Sequence, residues 1–204
     1  MDFTKGIADR FRALDLFFEE HPGWLGRMSF VQIAAPSRSH LPAYQAAERE
    51  VADLAKAINQ RWGKEAWKPI HLLASHHGMR DMTALHLAAD FFIVNSLHDG
   101  MNLVAKEFCA SRVDDDGVLI LSRFTGAHRE LKDALGVNPY AAHEIAASIH
   151  QALTMEPAER TRRMARMRAT IEHNNVFRWA SKILANLLHF DLPGDPDNDD
   201  SSLD

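Results

Sequence analysis

Two turns of this chain place a charged side chain before a glycine and a helical pattern after it: Lys5 before Gly6, and Asp99 before Gly100. A glycine permits a tight turn and lets a ligand approach the backbone closely. A lysine beside such a turn suits a phosphate, although a solvated lysine is the alternative. Glu107 follows the second turn, where its carboxylate would reach the sugar hydroxyls of a nucleotide whose phosphates rest on that turn. These residue types would suit a nucleotide, and the alternatives below remain open on spacing alone.

The elements around the second turn fit such a site. Residues 91–94 are a short, continuous apolar run, which is typical of a strand buried on both faces. Residues 103–110 show helical spacing, so a helix is predicted to begin near Met101 or Asn102. A strand, a glycine turn and a helix N-terminus make an anion site, because unpaired amides and the helix dipole both favour negative charge. The alternative is an ordinary strand-to-helix connection in which Glu107 is solvated.

Two further loops follow predicted strands. Arg38 comes after a predicted strand at residues 30–34, and its guanidinium suits bidentate bonds to a substrate phosphate. His76 and His77 follow a predicted strand at residues 70–73. Two neighbouring histidines without a third ligand are weak evidence for a metal, so a ligand-lining or structural role is favoured and no metal site is predicted.

The alternation of these strands with helical patterns predicts an α/β fold, a Rossmann-like parallel sheet with helices on both faces. A single domain is expected over residues 1–190. The tail, residues 191–204, is rich in Asp, Pro, Asn and Ser and is predicted to be a disordered acidic tail. The remaining predicted elements are strands at 118–121 and 137–140, and helices at 5–20, 44–58, 81–89, 130–135, 142–153, 157–168 and 176–190.

Composition narrows the class of protein. The net charge of −5 comes with interspersed Lys and Arg and no basic stripe, so no nucleic-acid partner is expected. The single cysteine, Cys109, excludes an internal disulfide and is expected to be a small buried residue. Three consecutive aspartates at 114–116 lack the ligand spacing of a calcium loop and predict a solvated turn. Without a signal-peptide core or a membrane-length apolar stretch, a cytoplasmic protein with no membrane partner is expected.

Several motifs in a fixed order resemble the trehalose-6-phosphate synthase family, retaining glycosyltransferases with two Rossmann-like domains of the GT-B type. The resemblance covers nearly the whole chain apart from the tail. The motifs are Asp2-Phe3-Thr4-Lys5-Gly6, Val31-Gln32-Ile33-Ala34 with Pro36-Ser37-Arg38, Asp99-Gly100-Met101-Asn102-Leu103-Val104-Ala105-Lys106-Glu107, Gly117-Val118-Leu119-Ile120-Leu121-Ser122 and Val137-Asn138-Pro139-Tyr140.

The resemblance implies roles for the residues of the donor site. Lys5 looks like the lysine that contacts the donor diphosphate, and Asp99 like the aspartate that binds hydroxyls of the transferred glucose. Lys5 and Asp99 would thus be the catalytic residues. Leu103 would offer its amide to a donor phosphate, and Glu107 would bind the ribose hydroxyls. Backbone contacts to the glucose are implied for Gly100, Met101 and Asn102.

Other implied roles lie in neighbouring loops. Arg38 matches an arginine that holds the phosphate of the acceptor, while His77 and Met82 fall where the family builds its nucleobase pocket. The implied reaction transfers glucose from a nucleoside-diphosphate glucose, with UDP-glucose expected, to glucose 6-phosphate with retention of configuration. No cofactor is implied.

The chain corresponds to the second half of the family, so a separate N-terminal domain is an implied partner for the acceptor site. His98 replaces the arginine that usually precedes the Asp-Gly pair. Residues 122–127 and the pair Asn174-Asn175 resemble glucosylglycerol-phosphate synthases, whose acceptor is glycerol 3-phosphate. The alternatives are therefore that acceptor, or a noncatalytic module that binds a nucleotide sugar.

Overall fold

The computed structural model describes residues 2–36 and 40–188. Arg38 and the predicted tail, residues 191–204, lie outside the described residues. The strands are β1 (Phe30–Ile33), β2 (Ile70–Leu73), β3 (Phe91–Val94), β4 (Val118–Ser122) and β5 (Leu135–Val137). The α-helices are α1 (Ile7–Glu20), α2 (Pro42–Trp62), α3 (Met79–Ala88), α4 (Leu103–Ser111), α5 (Ala142–Thr154), α6 (Pro157–His173) and α7 (Val176–Leu188). Short 3₁₀ turns occupy Phe3–Lys5, Pro22–Trp24 and Gly126–Arg129.

All strand pairs are parallel, but hydrogen bonding divides the strands into two sheets, β1-β2 and β3-β4-β5. The rings of Phe30 and Phe91, at the starts of β1 and β3, lie 6.3 Å apart between centroids. At the other end of these strands, Arg10 donates to both Gln32 and Asn95. The sheets therefore meet at β1 and β3, where side chains replace backbone pairing. The order in which strands are added to the sheet reverses between β1 and β3. Open α/β sheets bind ligands at such a point, outside the carboxyl ends of the strands. We call this edge of the sheet the carboxyl edge.

Helices cover both faces of the larger sheet, as the sequence predicts. Val118 and Ile120 of β4 pack into one cluster with the buried side chains of α1 and α5. Leu119 and Leu121 point the other way, into a cluster that includes Phe108 of α4 and buried methionines of α6. Because successive side chains of a strand face opposite sides, β4 is buried on both. The predicted Rossmann-like layering is confirmed.

The acidic turn at residues 114–116 is at the surface, as predicted, and its aspartate side chains are 33–44% exposed. Each aspartate also pairs with an arginine, one of them at the end of α4 and two on α6. The pairs are Asp114–Arg112, Asp115–Arg168 and Asp116–Arg160, at 3.0, 2.5 and 2.9 Å. The turn therefore fixes α6 against the end of α4.

The helix predicted at residues 130–135 is absent. A 3₁₀ turn at Gly126–Arg129 is followed by tight turns, and β5 begins at Leu135. Leu131 is fully buried, and the N–H of Ala134 donates to the carbonyl of Leu131 at 3.2 Å, a turn bond rather than a helical one. Burial of Leu131 and the pairing of β5 with β4 override the local helical pattern.

The last helix, α7, forms as predicted but none of its residues is buried among those that the structure describes. Its large exposed apolar side chains are Val176, Phe177, Trp179, Ile183, Leu184, Leu187 and Leu188. In residues 2–36 and 40–188, no helix combines the length and the apolar character needed to cross a bilayer.

Candidate functional site

The two glycine turns lie side by side at the carboxyl edge. Lys5 Nζ is 2.7 Å from Asp99 Oδ2, although 94 positions separate the residues in the chain. The backbone ties the same segments together, because the N–H of Leu97 donates to the carbonyl of Thr4 at 2.8 Å. The structure therefore brings together the lysine and the aspartate that the sequence singles out.

Three donors surround the carboxylate of Asp99. Lys5 and the Nδ2 of Asn102 donate to Oδ2, the latter at 3.0 Å, and the N–H of Met101 is 3.3 Å from Oδ1. Burial opposes ionisation of Asp99 and is the largest single influence, but these donors together outweigh it and lower the pKa of the carboxyl. Asp99 is therefore an ionised acceptor at neutral pH, held in one orientation.

Asn102 also begins the helix that follows. Its Oδ1 accepts from the N–H of Ala105 at 3.0 Å, which makes it the N-cap of α4. The residue has φ of 75°, a left-handed conformation that asparagine tolerates better than most side chains. Among the described residues, the N–H groups of Leu103 and Val104 have no acceptor, so they add to the positive end of the helix dipole.

Gly6 is required by the close approach of the two segments. It has φ of 65°, and a Cβ added to it would lie 2.4 Å from the carbonyl oxygen of Asn95. Asn95 in turn donates from Nδ2 to the carbonyl of Gly6 at 2.8 Å. The side chain of Asp2 accepts from the N–H and the hydroxyl of Thr4, which closes the turn before Lys5.

Backbone N–H groups of a second loop, which follows β4, donate hydrogen bonds to the Asp99-Gly100 turn and hold it in place (the clamp). The N–H of Gly126 donates to the carbonyl of Asp99 at 3.0 Å, and that of Ala127 to the carbonyl of Met101 at 2.7 Å. A Cβ at Gly126 would come within 2.1 Å of the carbonyl oxygen of Gly100. Sequence reasoning missed this clamp, for which the glycine at 126, just after β4, was the available signal.

The remaining predicted site residues take different positions. Glu107 is exposed on α4, one turn beyond Leu103 on the same face, and no hydrogen bond to its carboxylate is found in the described part of the chain. His77 lies in the loop after β2 with Nε2 3.0 Å from the hydroxyl of Ser75. Met82 is half-buried on α3, which packs beside α4 through His86 and Phe108. Arg38 belongs to the undescribed segment.

Within the described ranges there is no group of three or more His, Cys, Asp or Glu side chains that would hold a metal ion. The charges of the candidate site are instead those of Lys5, Asp99 and the end of α4. Such a site offers a cation and amide donors to an anionic group, and a carboxylate to hydroxyl groups, at one edge of the sheet.

Comparison with known proteins decides the family. The model of glycosyltransferase family 20 matches residues 1–189. The chain belongs to this family. A curated family relative, trehalose-6-phosphate synthase from Citrobacter koseri, is 38% identical over 188 residues, covering 92% of this chain and 40% of the relative.

Solved structures in the comparison share the fold. An E. coli structure bound with UDP-2-fluoro glucose has a TM-score of 0.90 at 37% identity, covering 94% of this chain and 43% of the other. The UDP-forming α,α-trehalose-phosphate synthase from Burkholderia xenovorans, in complex with glucose-6-phosphate, has a TM-score of 0.89 at 36% identity, covering 91% of this chain and 41% of the other. The chain therefore spans about two fifths of the length of these family members.

Proposed function

We propose that this chain is the donor-binding half of a retaining trehalose-6-phosphate synthase, which transfers glucose from UDP-glucose to glucose 6-phosphate. The contact of 2.7 Å between Lys5 and Asp99 carries this proposal, because it joins the two glycine turns at the carboxyl edge. Family membership and the ligands of the E. coli and Burkholderia structures support the substrate classes.

Different site residues would bind different parts of the donor. The ammonium group of Lys5 is half exposed and would turn from Asp99 to the diphosphate. The N–H groups of Leu103 and Val104, at the start of α4, would donate to the same diphosphate. Asp99 would then accept hydrogen bonds from hydroxyls of the glucose. The backbone of Gly100, Met101 and Asn102 would line the same sugar.

The nucleoside would lie along α4. Leu103 and Glu107 occupy one face of this helix, so a phosphate at the amide of Leu103 would place the ribose one turn further, at the carboxylate of Glu107. His77 and Met82 lie on the loop and the helix beside α4, where a nucleobase would reach them. Arg38 is proposed for the phosphate of the acceptor.

These groups would assist transfer without a protein nucleophile. The bond between the anomeric carbon and the diphosphate oxygen breaks while the acceptor hydroxyl bonds to that carbon on the same face, and the hydroxyl proton passes to the leaving diphosphate. The negative charge that develops on the diphosphate is stabilised by fixed donors, here Lys5 and the α4 amides. Configuration is retained because both oxygens use one face of the sugar.

The acceptor site would be completed by an N-terminal domain, since the chain spans only part of its relatives' length. The relatives described above are named for trehalose phosphate, so we propose glucose 6-phosphate over glycerol 3-phosphate as acceptor. Residues 1–190 would constitute the donor domain.

Two measurements test the proposal. Calorimetric titration of the whole chain with UDP-glucose should show saturable binding, and absence of binding would refute a donor-binding function. The chain is then mixed with the N-terminal half of a family 20 enzyme and assayed for release of UDP, with glucose 6-phosphate and glycerol 3-phosphate supplied separately. Turnover with glucose 6-phosphate is expected. Turnover with glycerol 3-phosphate alone would overturn the acceptor assignment, and binding without turnover would favour a noncatalytic module.

A further inference from the structure

Arg10 lies buried beneath the Lys5 turn, at the junction of the two sheets. The residue is only 8% exposed to solvent. Nε donates to Asn95 Oδ1 at 2.7 Å and Nη1 donates to Gln32 Oε1 at 2.6 Å. Nη2 is 3.4 Å from the carbonyl oxygen of Lys5. The guanidinium therefore contacts β1, the loop after β3 and the turn that carries Lys5.

The acceptors around Arg10 are all neutral amide or carbonyl oxygens, and no carboxylate pairs with it in the described ranges. Arg12 on the same helix shows the usual arrangement, because it pairs with Asp9 and Glu50 at the surface. Burial lowers the pKa of Arg10 to about 10, so the group remains charged at neutral pH. A buried charge without a counter-ion is costly.

The position of this charge suggests its use. Asn95 joins Arg10 to the Lys5 turn, since its Oδ1 accepts from Arg10 and its Nδ2 donates to the carbonyl of Gly6. Electrostatic interactions are stronger inside a protein than in water, so an unneutralised guanidinium there makes the nearby carboxyl edge more positive. An anion bound beside Lys5 would experience that field.

We infer that Arg10 is a positioning residue of the donor site, which holds the Lys5–Gly6 turn against Asn95 and whose unneutralised charge favours the anionic diphosphate at the carboxyl edge. The inference rests on the proposed function, because it assumes that a nucleoside diphosphate binds beside Lys5. Arg10 would thus join the residues of the donor site as a buried cation that does not contact the ligand.

Neutralising Arg10 without removing it separates the charge from the packing. Gln32→Glu keeps an oxygen for Nη1 and adds a carboxylate 2.6 Å from the guanidinium, although it removes the Nε2 donor to the carbonyl of Ile33. Arg10→Lys and Arg10→Met form a second pair of variants, in which only the lysine keeps the positive charge. The matched control is Gln60→Glu, an identical change at an exposed position near the end of α2. The full-length chain and each variant are titrated with UDP by calorimetry, and thermal unfolding is followed by circular dichroism.

The expected result is that Gln32→Glu weakens UDP binding about tenfold or more, because the field at the carboxyl edge is cancelled in a medium of low dielectric constant. Gln60→Glu should bind UDP as the wild type does. If Gln32→Glu lowers the unfolding temperature enough to unfold the chain, Arg10→Lys and Arg10→Met are compared instead, and equal UDP affinities of these two variants would overturn the inference. A folded neutralised variant that binds UDP within twofold of the wild type would show that Arg10 acts only through packing.

Failure of the proposed function gives a different pattern. In that case the wild type itself does not bind UDP, and the inference falls with it. Normal binding by the wild type together with normal binding by Gln32→Glu overturns the inference alone.

Discussion

Replacing Asp99 with asparagine separates recognition of glucose from recognition of the diphosphate. Asparagine has the same shape as aspartate but no negative charge. In the wild type, the Asp99 carboxylate accepts hydrogen bonds from Lys5 at 2.7 Å and from Asn102 at 3.0 Å. Lys5 is 47% exposed, so solvent screens the pair, and its loss should cost only about 0.2–1 kcal/mol of folding free energy.

The effect on the sugar should be larger. A hydrogen bond to a charged group contributes about 1.5–3 kcal/mol, so loss of the glucose contact predicts roughly 10- to 100-fold weaker binding of UDP-glucose. UDP lacks the glucose and should bind Asp99→Asn as tightly as the wild type or more tightly, because Lys5 no longer has to leave a carboxylate. Calorimetry with both ligands measures the ratio of the two affinities.

The control for this variant is Asp15→Asn, which removes another half-exposed ion pair, with Arg61 at 2.9 Å, away from the carboxyl edge. It should leave both affinities unchanged. Equal weakening of UDP and UDP-glucose by Asp99→Asn would contradict the assigned glucose contact, and so would an unchanged affinity for UDP-glucose.

The same variant should change how the free energy of unfolding depends on pH. The pKa of Asp99 is lowered by its donors, so the pair stabilises the fold above the unfolded value of about 3.9 and this contribution is lost as pH falls through the lower, folded value. Stability of the wild type should thus fall more steeply than that of Asp99→Asn below about pH 4. Parallel curves of unfolding free energy against pH would argue against the pairing.

Three further predictions concern Glu107, Gly6 and Cys109. Glu107→Ala should weaken UDP binding about tenfold or more by calorimetry, because a charged acceptor for the ribose hydroxyls is lost. Gly6→Ala should lower the unfolding free energy in urea by at least about 1–3 kcal/mol, because the added Cβ meets a carbonyl oxygen at 2.4 Å in a left-handed conformation. Cys109 is buried and burial raises the pKa of its thiol to about 12, so it should react with a thiol reagent at pH 8 only after denaturation.

Each of these has a matched comparison. Glu20→Ala removes an exposed carboxylate at the end of α1 and should not change UDP affinity; a Glu107 variant that behaves likewise would remove the ribose assignment. Gly23→Ala adds a Cβ that meets nothing within 4 Å, so a stability loss as large as that of Gly6→Ala would disprove the steric argument. Rapid labelling of Cys109 in the native protein would show that its helix opens readily.

Local pattern predicted much of the fold. The apolar runs at β1 to β4 and the helical spacing of α1, α2 and α5 appear in the structure with ends shifted by a few residues. These signals survive because side-chain periodicity reports directly which face of an element is buried. The prediction at residues 130–135 was wrong where burial of Leu131 and pairing of β5 outweighed a weak local preference.

For the candidate site, the sequence by itself determined the types of group present: a lysine and an aspartate beside glycines, and a carboxylate one turn into the helix that follows. Spacing within one segment also placed the start of α4 within a residue or two. These features depend on neighbours along the chain, so a single sequence contains them.

Only the tertiary structure decided that Lys5 meets Asp99, that Gly126 clamps the Asp-Gly turn, and that Arg10 lies buried between the neutral side chains of Gln32 and Asn95. Each of these contacts joins residues that are distant in the chain, so no local pattern contains it. Which strands neighbour each other, and which charges are thereby buried or paired, depends on the packing of the whole domain rather than on any local pattern.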